Sequence, residues 1–328
     1  MNQPPAVRIG ILGAARIVKD ALLKPVADVE GVELAAIAAR DVDRATAYAL
    51  AHGIPTVHGS YQELLEDPDI DAVYVPLPAA LHGEWTVRAA RAGKHVLCEK
   101  PFTASLAEAE AVRRDTADAG VVVMEAYHTH FHPHMAAIRA VLDSGEIGPV
   151  VSAQATFCIP IPSKKDIRWS RELGGGGLLD VGYYPVRMLR ELFGDAPEVR
   201  AASAKLRGDV DRLVTADLDF PGGVTGRIVS SMWAFRPLGA SLRITGERGR
   251  IDVPWPYHPQ MSGRVKVRMP AGSRVERVTR RSTYAFQLDA FRDAVLGDAP
   301  VETGVEAAVA QMSTLAAIYS AAGVDLGR

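Results

Sequence analysis

The sequence predicts an α/β protein of two domains, an N-terminal Rossmann-type doubly wound parallel sheet and a C-terminal α/β domain with an open-faced, largely antiparallel sheet. Three observations carry this. The chain has 328 residues, about two domains' worth. From Val7 to about Tyr127 short apolar runs alternate with helical stretches. Beyond about residue 150 the strand-like runs instead follow one another with only turn residues between them, as in antiparallel sheets.

The first set of strands is expected at Val7–Leu12, Glu33–Ala39, Ala72–Val75, His95–Cys98 and Val121–Ala126. Between them, Asp41 is suited to cap a helix that Gly53 ends, and Ser60 with Glu63 and Ser105 with Glu108 have capping-box spacing. The second set is expected at Val150–Phe157, Val199–Lys205, Val210–Phe220, Val224–Met232, Ser241–Thr245 and Arg264–Met269. A long helical run covers Leu178–Phe193, and Tyr284–Leu296 and Val305–Ala322 return to helical spacing. The domains are therefore placed at 1–126 and 127–328, with the C-terminal helices free to pack back on the first.

Composition narrows the function. Lys and Arg (37) nearly balance Asp and Glu (39), and no basic stripe carries interleaved aromatics, which speaks against nucleic acid. The N-terminus runs into a strand without a basic leader, and no apolar run reaches membrane-spanning length, so a cytoplasmic protein is expected. The two cysteines, Cys98 and Cys158, lie far apart and form no metal-type pair, so redox chemistry here needs a borrowed cofactor.

The segment "VRIGILGAARIVKDALL" places Gly10 and Gly13 at the end of the first strand, before a helix whose free N–H groups suit a pyrophosphate. Its fit to G-x-G-x-x-G is poor, because Ala15 and Val18 stand in the later glycine positions, and an ordinary strand-to-helix turn remains the alternative. Arg40 closes the second strand where the adenosine ribose normally lies, and an arginine there pairs with a 2′-phosphate, which points to NADP(H). Asp41, serving a ribose hydroxyl, keeps NAD(H) open. "HVLCEKP" brings Glu99, Lys100 and Pro101 to a strand's carboxyl end, the ligand edge of open parallel sheets.

These features, with "DAVYVPLPAALHGEWTVRAARAGKHVLCEKP" at 72–101, "MEAYHTHFHPH" at 124–134 and "DIRWSRELGGGGLLDVGYYPV" at 166–186, resemble the Gfo/Idh/MocA oxidoreductases over nearly the whole chain. The resemblance implies an NAD(P)-dependent dehydrogenase or reductase acting on CH–OH groups of a sugar, cyclitol or cyclic trans-diol. It implies a catalytic set of Lys100, Asp180 and Tyr184. A Tyr rather than a His four residues after the acid is similar to the dihydrodiol dehydrogenase, glucose-fructose oxidoreductase and sugar ketoreductase branch. In this reading Tyr184 exchanges the proton, Lys100 binds the substrate oxygen and favours phenolate, and Asp180 orients the substrate hydroxyl or the lysine.

Arg16, Ile17, Pro76, Leu77, Leu81 and His82 join the expected cofactor contacts, as do Arg168 and Trp169. For His82 a helix-start role stands beside the cofactor role. Ala79 occupies the place of a common asparagine. By resemblance the Lys100-Pro101 bond is expected to be cis.

His128, His130, His132 and His134 alternate, which on a strand puts all four on one face, but spread over about 20 Å at roughly 3.3 Å per residue. No metal site is assigned to them. Tyr127, His128 and His130 are instead expected to meet substrate hydroxyls, and Tyr284 to pack. An open one-sided sheet is expected to expose apolar surface and to form a homodimer, or a dimer of dimers. A non-catalytic dinucleotide-binding sensor of the same fold is the competing function, and a metal-dependent hydrolase built on the histidines a third.

Overall fold

The computed structural model describes residues 6–233 and 239–325. They form two compact units, each with its own sheet.

The first unit takes residues up to Thr103, Ala107–His130 and Ser282–Val309. Its parallel sheet comprises β1 (Val7–Leu12), β2 (Val32–Ala38), β3 (Thr56–His58), β4 (Ala72–Val75), β5 (His95–Glu99) and β6 (Val123–Ala126), in the order β3-β2-β1-β4-β5-β6. Every residue of β4 and β6 is buried, as expected of strands covered on both faces. The helices are α1 (Val42–His52), α2 (Tyr61–Glu66), α3 (His82–Arg91) and α4 (Leu106–Thr116). As expected, Asp41 caps α1 by accepting from the Arg44 N–H (3.1 Å), and Gly53 ends it with a left-handed φ of 70°. At α2 the Ser60 hydroxyl accepts from the Glu63 N–H, but the Glu63 carboxylate reaches back to Gly59, one residue before the position a capping box uses.

The connection after β1 differs from expectation. Instead of an α-helix there is a five-residue π turn, Lys19–Leu23, followed by a 3-10 turn, Pro25–Asp28. Pro25 has no N–H to continue the ladder, so the segment stops within two turns and carries little macrodipole. A later segment of this unit, α8 (Thr283–Leu296), packs against both turns, and Arg292 donates from it to the Glu30 carbonyl (2.7 Å).

The second unit holds Ala104–Leu106, Phe131–Arg281 and the residues from Ala310 on. Its helices are α5 (Pro133–Asp143), α6 (Gly177–Asp180) and α7 (Tyr183–Phe193), with the later turns of α9 (Val305–Ala321). The eight strands are β7 (Val150–Cys158), β8 (Glu198–Arg207), β9 (Val210–Asp219), β10 (Thr225–Ser231), β11 (Gly239–Gly246), β12 (Arg250–Pro254), β13 (Arg264–Met269) and β14 (Gly272–Arg277). They run β14-β13-β12-β11-β7-β10-β9-β8, antiparallel throughout except for β7 beside β10.

One face of this sheet carries Ala155, Phe157, Ile228, Leu218, Leu242 and Ile251, all buried. The opposite face corrects the expectation of exposed apolar surface. Gln154 lies level with Arg227 and Arg243, and these pair with Asp217 (2.8 Å) and Asp252 (2.9 Å). Arg250 and Arg268 converge on the same Asp252, holding its carboxyl below the usual range against the opposing effect of burial. Around Gln154 this side is a lattice of paired charges, with Val229 and Leu213 among them and the exposed Val275 towards its edge.

Candidate functional site

At the β1 carboxyl end Gly13 adopts φ +114°, where a side chain is strained, and a Cβ would sit 3.2 Å from Leu77 Cδ2. The Gly13 N–H donates to the Ala38 carbonyl (2.7 Å), and Arg44 donates to the Ala14 carbonyl (2.6 Å), so the turn is pinned from β2 and from α1. Ala15 and Ile17 are half-buried and Arg16 is exposed. Gly10 has a packing role, since a Cβ there would come within 2.5 Å of Leu64 on α2.

Arg40 is exposed at the end of β2, while the neighbouring Asp41 is engaged as a helix cap. Tyr61, which no sequence motif marks, bonds the Arg40 backbone and lies 3.7 Å from the position of a Gly13 Cβ. Burial raises its pKa, against the pull of that bond and of the Arg40 and Arg44 charges. The turn is thus bordered by two guanidiniums and a phenol.

His82 is 1% exposed, with Nδ1 2.8 Å from the Pro101 carbonyl and Nε2 2.7 Å from the Leu77 carbonyl. Its ring ties the loop after β4 to the one after β5, as a buried helix-start histidine does. Burial keeps it neutral more readily than usual, and the two carbonyls oppose that. Pro76 is buried in the same stretch and Leu81 half-buried.

The Lys100-Pro101 peptide is cis. Behind Lys100, the Glu99 carboxylate accepts from the Tyr74 hydroxyl (2.6 Å), and Glu125 accepts from the Phe102 N–H (3.1 Å). Burial pushes Glu99 up to about 7, against the Tyr74 bond and the Lys100 charge. The folded chain thus keeps a proton that the unfolded chain has already released, so stability falls as pH rises from the ordinary carboxylate range towards 7. Glu99→Gln is expected to flatten that loss. Its advantage over the native chain in urea melts should grow between pH 5 and pH 8, by at most on the order of 3 kcal/mol. Parallel melts at the two pH values would refute the buried-proton assignment.

The histidine run is a turn and a helix start, not a strand. β6 stops at Ala126, His132 caps α5 by accepting from the His134 N–H (3.1 Å), and Pro133 takes the first helical position. His128 is buried and stacks on Tyr284 with ring centroids 4.2 Å apart, Tyr127 is buried, and His130 reaches Glu302 at 3.0 Å. In the second unit burial lowers His132 to about 4 and His134 to about 3, leaving both neutral. Among the described residues no group of three or more His, Cys, Asp or Glu is arranged to hold a metal ion.

The glycine run leads to the other candidate group, in the second unit. Gly174 has φ +78°, and a Cβ on Gly175 would lie 2.5 Å from the Arg168 carbonyl oxygen. The Gly175 and Gly176 N–H groups donate to the Ser170 and Arg168 carbonyls, folding the run against the "DIRW" turn. The expected single helix from Leu178 is two helices, α6 and α7. At the joint the Gly182 N–H reaches back five residues to Gly177, and a Cβ on Gly182 would lie 2.8 Å from Ser230 Oγ of β10. Val181 and Gly182 keep right-handed dihedrals, so Asp180 and Tyr184 remain about a turn apart.

Asp180 accepts from Arg168 Nε (2.5 Å), and Arg168 also reaches Asp166 (3.2 Å); the two carboxylates raise the arginine's pKa further. Trp169 donates to the Ile161 carbonyl (3.2 Å) with the Arg207 guanidinium 4.3 Å over its ring. Tyr183 is fully buried. Tyr184 is 6% exposed, with Phe157 and Tyr257 rings each 5.6 Å away and His258 at 6.3 Å.

Comparison with known proteins places both units. Residues 7–127 match the oxidoreductase family model with an NAD-binding Rossmann fold, and residues 135–252 match the GFO/IDH/MocA C-terminal domain. A D-xylose 1-dehydrogenase (NADP(+)) of Haloferax volcanii is 37% identical over 95% of this chain and 96% of its own. A dTDP-3,4-didehydro-2,6-dideoxy-alpha-D-glucose 3-reductase of Streptomyces violaceoruber is 38% identical over 88% and 85%. The crystal structure of KijD10, a 3-ketoreductase from Actinomadura kijaniata in complex with NADP and TDP-benzene, superposes with a TM-score of 0.90 at 33% identity, covering 97% of this chain and 98% of that one. Matched in both halves and along nearly its whole length, the chain belongs to the Gfo/Idh/MocA oxidoreductase family.

Proposed function

We propose that this protein is an NADP(H)-dependent oxidoreductase that interconverts a secondary alcohol and a ketone on a sugar or a similar cyclic polyol. The observation that carries the reading is Tyr184, a phenol one turn beyond Asp180 at the start of α7, walled by aromatic rings. The relatives' activities, sugar dehydrogenation and ketosugar reduction, are of this kind.

A dinucleotide fits the first unit. Gly13 leaves no side chain above the turn, and Arg40 and Arg44 bring two cations to the place of an adenosine 2′-phosphate. NADP(H), when bound, supplies or takes up the hydride. The chain's own residues do the rest. Tyr184 gives its hydroxyl proton to the carbonyl oxygen in reduction and takes it back in oxidation. By the family resemblance Lys100 is assigned to a substrate oxygen, and Asp180, steadied by Arg168, orients a substrate hydroxyl. We further assign a homodimer through the charge-paired face of the second sheet, whose alternating Arg and Asp suit a self-complementary contact.

The test is a panel of free aldoses, inositols and trans-dihydrodiols with NADP and NAD in parallel, and of nucleotide-linked ketosugars with NADPH and NADH, followed at 340 nm. Turnover is expected with at least one sugar class, faster with NADP. Tight dinucleotide binding without turnover in any class would point instead to a sensor.

A further inference from the structure

The segment carrying Asp180 and Tyr184 is short and broken, since α6 has only four residues and α7 begins anew at Tyr183. A four-residue helix has little stability of its own, so something else must hold its position. The groups that do so come from distant parts of the second unit.

Asp211, at the start of β9, is 2% exposed. Its Oδ2 accepts from the Leu178 N–H (2.7 Å), the Gly177 N–H also bonds it, and its Oδ1 accepts from the Tyr319 hydroxyl (2.7 Å). The N–H groups that a first helical turn leaves without partners are thereby satisfied by a side chain thirty-three residues away. Tyr319, on α9, is 2% exposed, and its oxygen also takes a bond from the Leu179 backbone. Two turns earlier on α9, the fully buried Gln311 donates to the Tyr183 carbonyl (3.1 Å) and accepts from Arg190 (2.7 Å). The third and fourth glycines of the run make this approach possible. A Cβ on Gly176 would lie 2.6 Å from Asp211 Oδ1, and one on Gly177 3.0 Å from the Asp211 carbonyl.

We infer that Asp211, Tyr319 and Gln311 form a positioning brace that sets where Asp180 and Tyr184 stand, Asp211 and Tyr319 fixing the start of α6 and Gln311 the start of α7. They are positioning residues that touch neither substrate nor cofactor, and their catalytic consequence rests on the function proposed above. Burial raises the Asp211 pKa while its bonds lower it, as befits an acceptor whose donors come from the protein. Removing one bond should loosen the segment without unfolding the unit, because β9 and α9 keep their own packing.

The experiment compares the native chain with Tyr319→Phe, Asp211→Asn and Tyr184→Phe, using amide hydrogen exchange by mass spectrometry, NADP affinity, and kcat and KM for the substrate found by the panel. Tyr319→Phe should speed exchange across residues 177–184 by about tenfold, with Asp211→Asn larger, while the strands of the first unit exchange as before. In both, kcat should fall about tenfold and NADP affinity stay within about twofold. Unchanged exchange at 177–184, or equal acceleration throughout the second unit, overturns the brace. The two failures separate cleanly. Loosened exchange together with a fully active Tyr184→Phe overturns the catalytic reading and with it the positioning role. An inactive Tyr184→Phe beside native exchange and kcat in the other two variants overturns the brace alone.

Discussion

Tyr184→Phe should lower turnover by about 10²- to 10⁴-fold, the usual contribution of a positioned acid or base, while NADP affinity stays within about twofold. The substitution removes one oxygen and keeps the ring, so the packing against Phe157 and Tyr257 survives. The melting temperature should fall by no more than a few degrees, the cost of about one hydrogen bond. Steady-state rates at 340 nm and dinucleotide titrations check both halves, and native turnover in the variant refutes the proton-transfer role. Tyr183→Phe is the matched control. That neighbour is fully buried and one residue off the face of Asp180, so its variant should keep most of the activity.

The second large effect is expected at the cofactor. Arg40→Asp puts a carboxylate where the 2′-phosphate is proposed to lie, replacing a charge-assisted bond by repulsion. The dissociation constant for NADP should rise about 10- to 100-fold and that for NAD by less than about threefold. Titrations with both dinucleotides decide it, and equal weakening would refute the phosphate contact. Asp41 accepts from the Arg44 N–H at the start of α1 through Oδ1.

The elements that were legible in the sequence are those whose side chains report their surroundings. β1, β4 and β13 fall at their expected bounds because their apolar residues sit in a covered sheet or alternate along one face. β14 was silent, since Gly272–Arg277 is almost wholly exposed and polar, and β3 is a three-residue edge strand. The histidine run misled because its period of two imitates a strand, whereas Pro133 and the His132 cap impose a helix start. The polar outer face of the second sheet was hidden for another reason: Ala153, Ala155, Phe157 and Ile228 lie on its inner face while Val229 lies on the outer one, and only register reveals that Arg227 and Arg243 flank Gln154.

The candidate site divides in the same way. Lys100, Asp180 and Tyr184 stand in short motifs, and the family resemblance carried by those motifs is what marks them. Tyr61, Asp211 and Tyr319 could not, because their partners are far along the chain and no local spacing announces them. Asp211 and Tyr319, for example, meet across 108 positions. Three of the four glycines, Gly175, Gly176 and Gly177, carry half of that information, recording that backbone and side chains approach too closely for a Cβ without naming what approaches.

The most direct test of the central claim is the fate of a labelled hydride. The protein is incubated with NADPH carrying deuterium at both nicotinamide C4 positions and the ketosugar that the panel identifies, and the product is analysed by mass spectrometry and NMR. One deuterium on the new carbinol carbon is predicted for the native chain, and next to none for Tyr184→Phe at equal dinucleotide occupancy. Product without the label, or deuterium transfer at the native rate in the phenylalanine variant, would contradict the assignment.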